Sequence, residues 1–288
     1  METLKKEISS AMSDHESGSL QLLDNLIRSF ASFYKRSGNQ VHTNMEKFLS
    51  SLETGFNDFP VIQHFLKNFK EFLSSGSQAN GAAFLSQYNQ KWENIDHNIA
   101  IVASKIIDCS GKSIMVHSNS KTIQTFLKIQ KSNSSVINII QTESRPVMEG
   151  RKQAEYLINL GFPVKFITDS SAARYFSEIE YVITGADRIN SDSFINKTGT
   201  MVLALLAREF GKPFYVLFDS RKIVRDKPFP QFEEKQKDPE EVWKNHPLTI
   251  EVKNYYFESI PMKLVTHFIC EKGIYKPSDT RNSTNAIT

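Results

Sequence analysis

The hydrophobic positions of this chain change their period about a third of the way along, and the change divides it. Leu20, Leu23, Ile27, Phe30 and Tyr34 recur at three- and four-residue steps, the spacing that lines one face of a helix. That stripe starts after Ser17-Gly18-Ser19 and stops at Ser37-Gly38-Asn39. A second runs through Val41, Met45, Phe48 and Leu52. A third follows Pro60, a residue suited to a helix's first turn, through Ile62, Phe65, Leu66, Phe69, Phe72 and Leu73. After the break at Ser74-Ser75-Gly76-Ser77 a long fourth stripe carries Phe84, Tyr88, Ile95, Ile99, Val102 and Ile106. Residues 1–107 are therefore expected to form a helical domain.

From Ser113 onward short β-rich runs alternate with helical ones. Residues 113–117, 136–142, 164–168, 181–184 and 213–218 predict five strands. Residues 122–129, 148–160, 172–176 and 199–210 predict the helices between them, the second ending at the stop signal Leu160-Gly161-Phe162-Pro163. This rhythm predicts that residues 108–288 form a Rossmann-like α/β domain, a mainly parallel sheet with helices on both faces. Lys222 to Lys244 is charged and proline-punctuated, with Glu233 to Asp238 expected on a solvated surface. Tyr255 to Ile269 predicts a strand-like turn followed by a helix that packs back on the sheet. The polar tail from Lys276 is expected to fray.

Composition narrows the function classes. Lysine and arginine total 35 against 32 acidic residues in 288, and a net charge of +3 gives no basic footprint for nucleic acid. Cys109 and Cys270 are too few for a disulfide framework, so they read as buried apolar residues in a reduced, cytoplasmic setting. The start of the chain lacks a signal-peptide core, and no run approaches the roughly 18 apolar residues of a membrane span. The asparagine sequons at 133, 196 and 282 then read as chance. The seven histidines are scattered with no pair at ligand spacing, so neither a metal nor a cofactor is expected.

Candidate chemistry gathers where predicted strands end, the edge at which an open α/β sheet takes its ligands. Gly185-Ala186-Asp187-Arg188-Ile189 follows one strand and places Asp187 there, either as a general acid or base or as a turn residue paired with Arg188. Lys197, beside Asn196 and just before the helix opening at Thr198-Gly199-Thr200, can meet an anion together with backbone amides. Arg145 offers a guanidinium fork for phosphate. Taken singly, each cation also reads as a surface charge paired with Glu143 or Asp192. His117-Ser118-Asn119-Ser120 supplies hydroxyls and amides at a further edge, or simply caps a helix. No histidine and aspartate at suitable spacing make Ser118 a hydrolase nucleophile.

Glu143-Ser144-Arg145-Pro146, Gly150, Gly185-Ala186-Asp187-Arg188-Ile189 and Asn196-Lys197-Thr198-Gly199-Thr200 together resemble one superfamily. It holds the alpha, beta and delta subunits of eukaryotic translation initiation factor 2B, methylthioribose-1-phosphate isomerase and ribose-1,5-bisphosphate isomerase. The likeness extends to Tyr256-Phe257-Glu258, Pro261 and Glu271-Lys272-Gly273, and faintly to Ser17-Gly18-Ser19. It implies a helical domain, a Rossmann-like domain, a homodimer through the latter, and a phosphorylated sugar or nucleoside monophosphate as ligand. In the isomerases of this superfamily a cysteine and an aspartate move protons while an aldose 1-phosphate becomes a ketose 1-phosphate. The aspartate matches Asp187, and the asparagine-lysine pair matches Asn196 and Lys197; the cysteine position is Ser118, flanked by His117 and Asn119. The arginine-glycine-alanine-proline phosphate turn of methylthioribose-1-phosphate isomerases has no counterpart; Lys35-Arg36-Ser37-Gly38 does not replace it. The resemblance implies two readings. One is a regulatory, non-catalytic binding protein like the alpha subunit, able to join a larger translation-factor assembly. The other is a sugar-phosphate isomerase working with Asp187 and with Ser118 or water. A structural subunit with a vestigial pocket is a third.

Overall fold

The computed structural model describes residues 2–12, 19–37, 45–57, 59–75, 81–132, 136–224, 234 and 236–278. The expected breaks at Gly38-Asn39 and Gly76-Ser77, the Ser17-Gly18 start, Val41, the Asn133 sequon, Glu233, Lys235 and the tail beyond Ser278 lie outside them. The described residues form two compact units, Met1–Ile95 and Asp96–Thr288. Residues 96–107, which the periodicity placed with the helices, belong to the second unit.

The first unit contains helices α1 (Glu2–Met12), α2 (Ser19–Ser37), α3 (Met45–Gly55), α4 (Pro60–Ser74) and α5 (Gly81–Trp92). Its core takes in stripe residues such as Phe30, Phe65, Leu66, Phe69 and Phe84 together with Leu22, Leu26, Phe33 and Leu49, which the stripes leave out, and the Phe69 and Phe84 rings stack 4.7 Å apart. The fourth stripe is two helices, not one. α5 stops at Trp92 and α6 runs over Ile95–Ala103. Apolar residues keep one phase across Glu93-Asn94, so the spacing alone carries no sign of the break.

The second unit is built on a seven-stranded sheet. Its strands are β1 (Ser113–Val116), β2 (Asn138–Thr142), β3 (Val164–Ile167), β4 (Tyr181–Thr184), β7 (Phe214–Leu217), β9 (His267–Cys270) and β10 (Gly273–Tyr275). They lie in the order β10-β9-β7-β4-β1-β2-β3, parallel throughout except for β10. Met115, Ile140, Val182 and Val216 pack on one face with Leu203, Ala204 and Ala207 of α9 (Thr200–Glu209). Their neighbours Ile114, Ile139, Ile183 and Leu217 are buried as well, so both faces are covered, as apolar runs without alternation require. α7 (Lys121–Ser132) and α8 (Gly150–Asn159) make the connections between the first three strands. Gly161 adopts φ 79° and ends α8 where the stop signal placed it.

Three features depart from the expectation. In place of the helix over 172–176 the chain makes a 3₁₀ turn over Asp169–Tyr175. β5 (Arg188–Ile189), β6 (Ser193–Lys197) and β8 (Phe257–Pro261) form a separate antiparallel sheet in the order β5-β6-β8. And the expected final helix is absent: one 3₁₀ turn over Met262–Leu264 leads directly into β9. The reason is burial on both faces. Phe268, Ile269 and Cys270 are consecutive and all fully buried, and a short apolar run of that kind fits a covered strand as well as a helix.

Candidate active site

Strands β1, β2 and β3 step outward in one direction, and β4, β7 and β9 step outward in the other. The chain therefore reverses between β1 and β4, and the crevice beyond their carboxyl ends is the ligand position of such a sheet. His117 to Ser120, Glu143 to Gly150, Gly185 to Asp187 and Asp219 to Lys222 all follow strands at this edge. Asn196 and Lys197 reach the same edge from the small sheet.

His117 anchors the crevice floor. It is 1% exposed, and its Nε2 lies 3.0 Å from the Thr198 carbonyl, which can only accept. The proton of the neutral ring therefore sits on Nε2, and Nδ1 accepts from the Thr142 hydroxyl at 2.6 Å. Burial pushes its pKa below the ordinary value, against the opposing pull of Asp169, 3.9 Å away. Gly199, at φ 104°, lies where a Cβ would come within 2.9 Å of the ring, so only glycine fits. His117 is thus fully engaged with protein partners.

Ser118 and Ser144 adopt left-handed backbone conformations, φ 67° and 62°. Residues carrying a Cβ adopt this region uncommonly, and Met148 in the same Glu143 to Gly150 run does so too, at φ 57°. The Ser118 N–H donates to Ser144 Oγ at 2.8 Å, and the Ser144 N–H donates to Asp169 at 2.8 Å. The Ser118 hydroxyl donates to the Glu149 carboxylate. Asn119 turns away along α7, where its Oδ1 accepts from Gln124 at 2.8 Å. Ser120 takes up the helix start, its hydroxyl accepting from the Ile123 N–H at 3.4 Å, and Gly185 packs against it.

Lys197 is 3% exposed, and its ammonium lies 2.7 Å from Glu149 and near the rings of Tyr256 and Phe257, 4.8 and 5.0 Å to the centroids. The β6–β8 register produces this arrangement, opposing Lys197 to Phe257 and Asn196 to Glu258. Glu258 then accepts from the Gly199 and Met201 N–H groups, each at 2.8 Å. So the two elements expected to meet an external anion, the lysine and the start of α9, each hold a carboxylate of the chain itself. Asn196 binds inward, donating to the Thr184 and Thr200 hydroxyls at 2.9 Å.

Asp187 is half-buried at the end of β4, 3.8 Å from Lys222, whose ammonium also donates to the Ala186 carbonyl at 2.7 Å. The Arg145 N–H donates to Asp169 at 2.7 Å, and its guanidinium donates to the carbonyls of Glu241 and Val242. Arg221 forms a buried pair with Asp219. Cys109 precedes β1 and Cys270 closes β9, outside the β1–β4 crevice; burial pushes both thiols up to about 12. Among the described residues no group of His, Cys, Asp and Glu is arranged to hold a metal ion.

At the crevice Ser118 and Lys197 meet through Glu149, Asn196 is tied to Thr184 and Thr200, and Asp187 lies beside Lys222. Glu149, Glu258 and Lys222 are partners that residue-by-residue reading missed. The available signal was indirect, because a buried lysine needs a buried counter-ion and Glu149 lies in the same Glu143 to Gly150 run.

The Initiation factor 2 subunit family model matches residues 19–277. A putative methylthioribose-1-phosphate isomerase of Methanocaldococcus jannaschii is 29% identical over 259 residues, covering 84% of this chain and 77% of its own length. The ribose 1,5-bisphosphate isomerase of Thermococcus kodakarensis is 33% identical over 174 residues, 58% of this chain and 54% of that protein. Translation initiation factor eIF2B subunit alpha of Dictyostelium discoideum is 35% identical over 134 residues, 46% of this chain and 41% of that subunit. The crystal structure of translation initiation factor eIF-2B from Pyrococcus horikoshii OT3 superposes with a TM-score of 0.80 at 22% identity, covering 96% and 98% of the two chains, and shares the fold.

Proposed function

The chain belongs to the Initiation factor 2 subunit family, and from that premise we propose that it is a regulatory, non-catalytic protein similar to the initiation factor 2B alpha subunit. It takes a phosphorylated sugar or nucleoside monophosphate at the β1–β4 crevice, with Arg145, Asp187 and Lys197 as binding residues. The observation that carries this reading is Ser118. It stands where the resemblance places a catalytic cysteine, its hydroxyl is committed to Glu149, and both thiols of the chain are buried elsewhere. A serine hydroxyl is a far weaker acid than a thiol, so proton transfer at this position is lost while hydrogen bonding remains.

In the same reading the chain works in the cytoplasm, pairs with a second copy through its α/β unit and can enter a larger translation-factor assembly. No described helix is long and apolar enough to cross a membrane. The aldose 1-phosphate to ketose 1-phosphate isomerase reading is supported by the isomerases among the similar relatives and by Asp187, half-buried at the crevice with the Lys222 ammonium beside it.

Thermal-shift titration tests the binding claim with ribose 1,5-bisphosphate, methylthioribose 1-phosphate and nucleoside monophosphates. At about a hundred times the dissociation constant a ligand adds roughly 2.7 kcal/mol, a rise of several degrees. Lys197→Ala is expected to weaken that ligand about tenfold to a hundredfold. No shift with any compound would leave the crevice vestigial.

A further inference from the structure

Two of the groups expected to receive a phosphoryl group, the Lys197 ammonium and the start of α9, are already occupied by the chain's own carboxylates. Glu149 bridges the Ser118 hydroxyl and the Lys197 ammonium, the latter at 2.7 Å, and its side chain is only 8% exposed. Glu258 accepts both α9 amides. Glu149 is firmly rooted: a Cβ on the next residue, Gly150, would sit 2.0 Å from the Thr142 carbonyl oxygen, so this backbone lies directly on the end of β2. Lys197 is held from the other side by the Tyr256 and Phe257 rings, which attract an ammonium but cannot neutralise it.

We infer that Glu149 is the residue that sets the charge selectivity of the crevice, a tethered anion that any ligand must displace from Lys197. This deepens the reading of the crevice as a phosphate-ester site and rests on it. A carboxylate fixed to the chain competes without losing translational freedom on binding, so a free monoanion such as acetate or chloride gains nothing by replacing it. A phosphoryl group carries nearly two negative charges and three acceptor oxygens, enough to take the ammonium and the Ser118 hydroxyl together. Glu149 thus admits phosphoryl groups and turns away carboxylates and halides. Glu258 shares the arrangement but sits on β8 and is committed to the start of α9.

The test uses inorganic phosphate and acetate as probes on the full chain, read by calorimetry and thermal shift. Glu149→Gln is expected to bind inorganic phosphate about tenfold to a hundredfold more tightly than the natural chain. It is also expected to gain a thermal shift with acetate that the natural chain lacks. Both gains should vanish in the Glu149→Gln, Lys197→Met double variant. If Glu149→Gln does not fold in chloride buffer, Glu149→Ala is refolded with and without phosphate, and recovery only with phosphate supports the inference. Unchanged anion affinities, gains that persist in the double variant, or no recovery of Glu149→Ala in phosphate would each overturn it. The broader reading is judged separately, by whether sugar phosphates or nucleotides bind the natural chain at all.

Discussion

His117 holds three parts of the crevice with one neutral ring, and its neutrality has a measurable consequence. Burial is the main cause of its lowered pKa, so the folded protein refuses a proton that the unfolded chain accepts at about the ordinary histidine value. Its contribution to stability is therefore present above that value and is lost as pH falls through the folded pKa, with a slope of at most one proton, about 1.4 kcal/mol per pH unit. His117→Gln keeps a donor for Thr198 and an acceptor for Thr142. It is expected to be less stable at pH 7 and to lose stability less steeply between pH 7 and 5, measured by urea unfolding. An unchanged slope would assign the acid sensitivity to another group. At the same scale, the Ser118 hydroxyl donates to the Glu149 carboxylate.

At the scale of elements, the start of α9 depends on a strand far away in the sequence. Gly199 and Glu258 are 59 residues apart, yet the antiparallel β6–β8 pairing brings the carboxylate to two otherwise unpaired amides of the helix. Glu258→Ala is expected to cost about 0.5–2 kcal/mol, the range for a lost helix cap, with Glu258→Gln losing less. Equal stability of all three proteins would show that the amides find other partners. This pairing also marks where sequence reading stops. The strand β4 and the helices α2 and α4 were legible, because β-branched runs and three-to-four spacing are local signals. Asp187 was legible as a candidate because it follows such a run, and Asn196 and Lys197 because they precede the helix start at Thr198-Gly199-Thr200, although the structure places both within β6. Glu149 and Glu258 were not, since a carboxylate reveals its partner only when a register brings the two together. β9 was misread for a related reason: burial on both faces erases the alternation that identifies a strand.

Across the whole molecule the family fold is kept while the charge arrangement at the crevice is closed on itself. Lys197 meets Glu149, Lys222 meets Asp187 and Arg221 meets Asp219, so each of these cations has an internal partner before any ligand arrives. Fold alone does not decide activity, because function resides in the site. The most direct measurement is ³¹P and ¹H NMR of the purified protein with ribose 1,5-bisphosphate and methylthioribose 1-phosphate, run beside Asp187→Asn. The account predicts ligand line broadening with both proteins and no ketose 1-phosphate formed. Ketose accumulating with the natural chain and not with Asp187→Asn would contradict it and make this protein an isomerase.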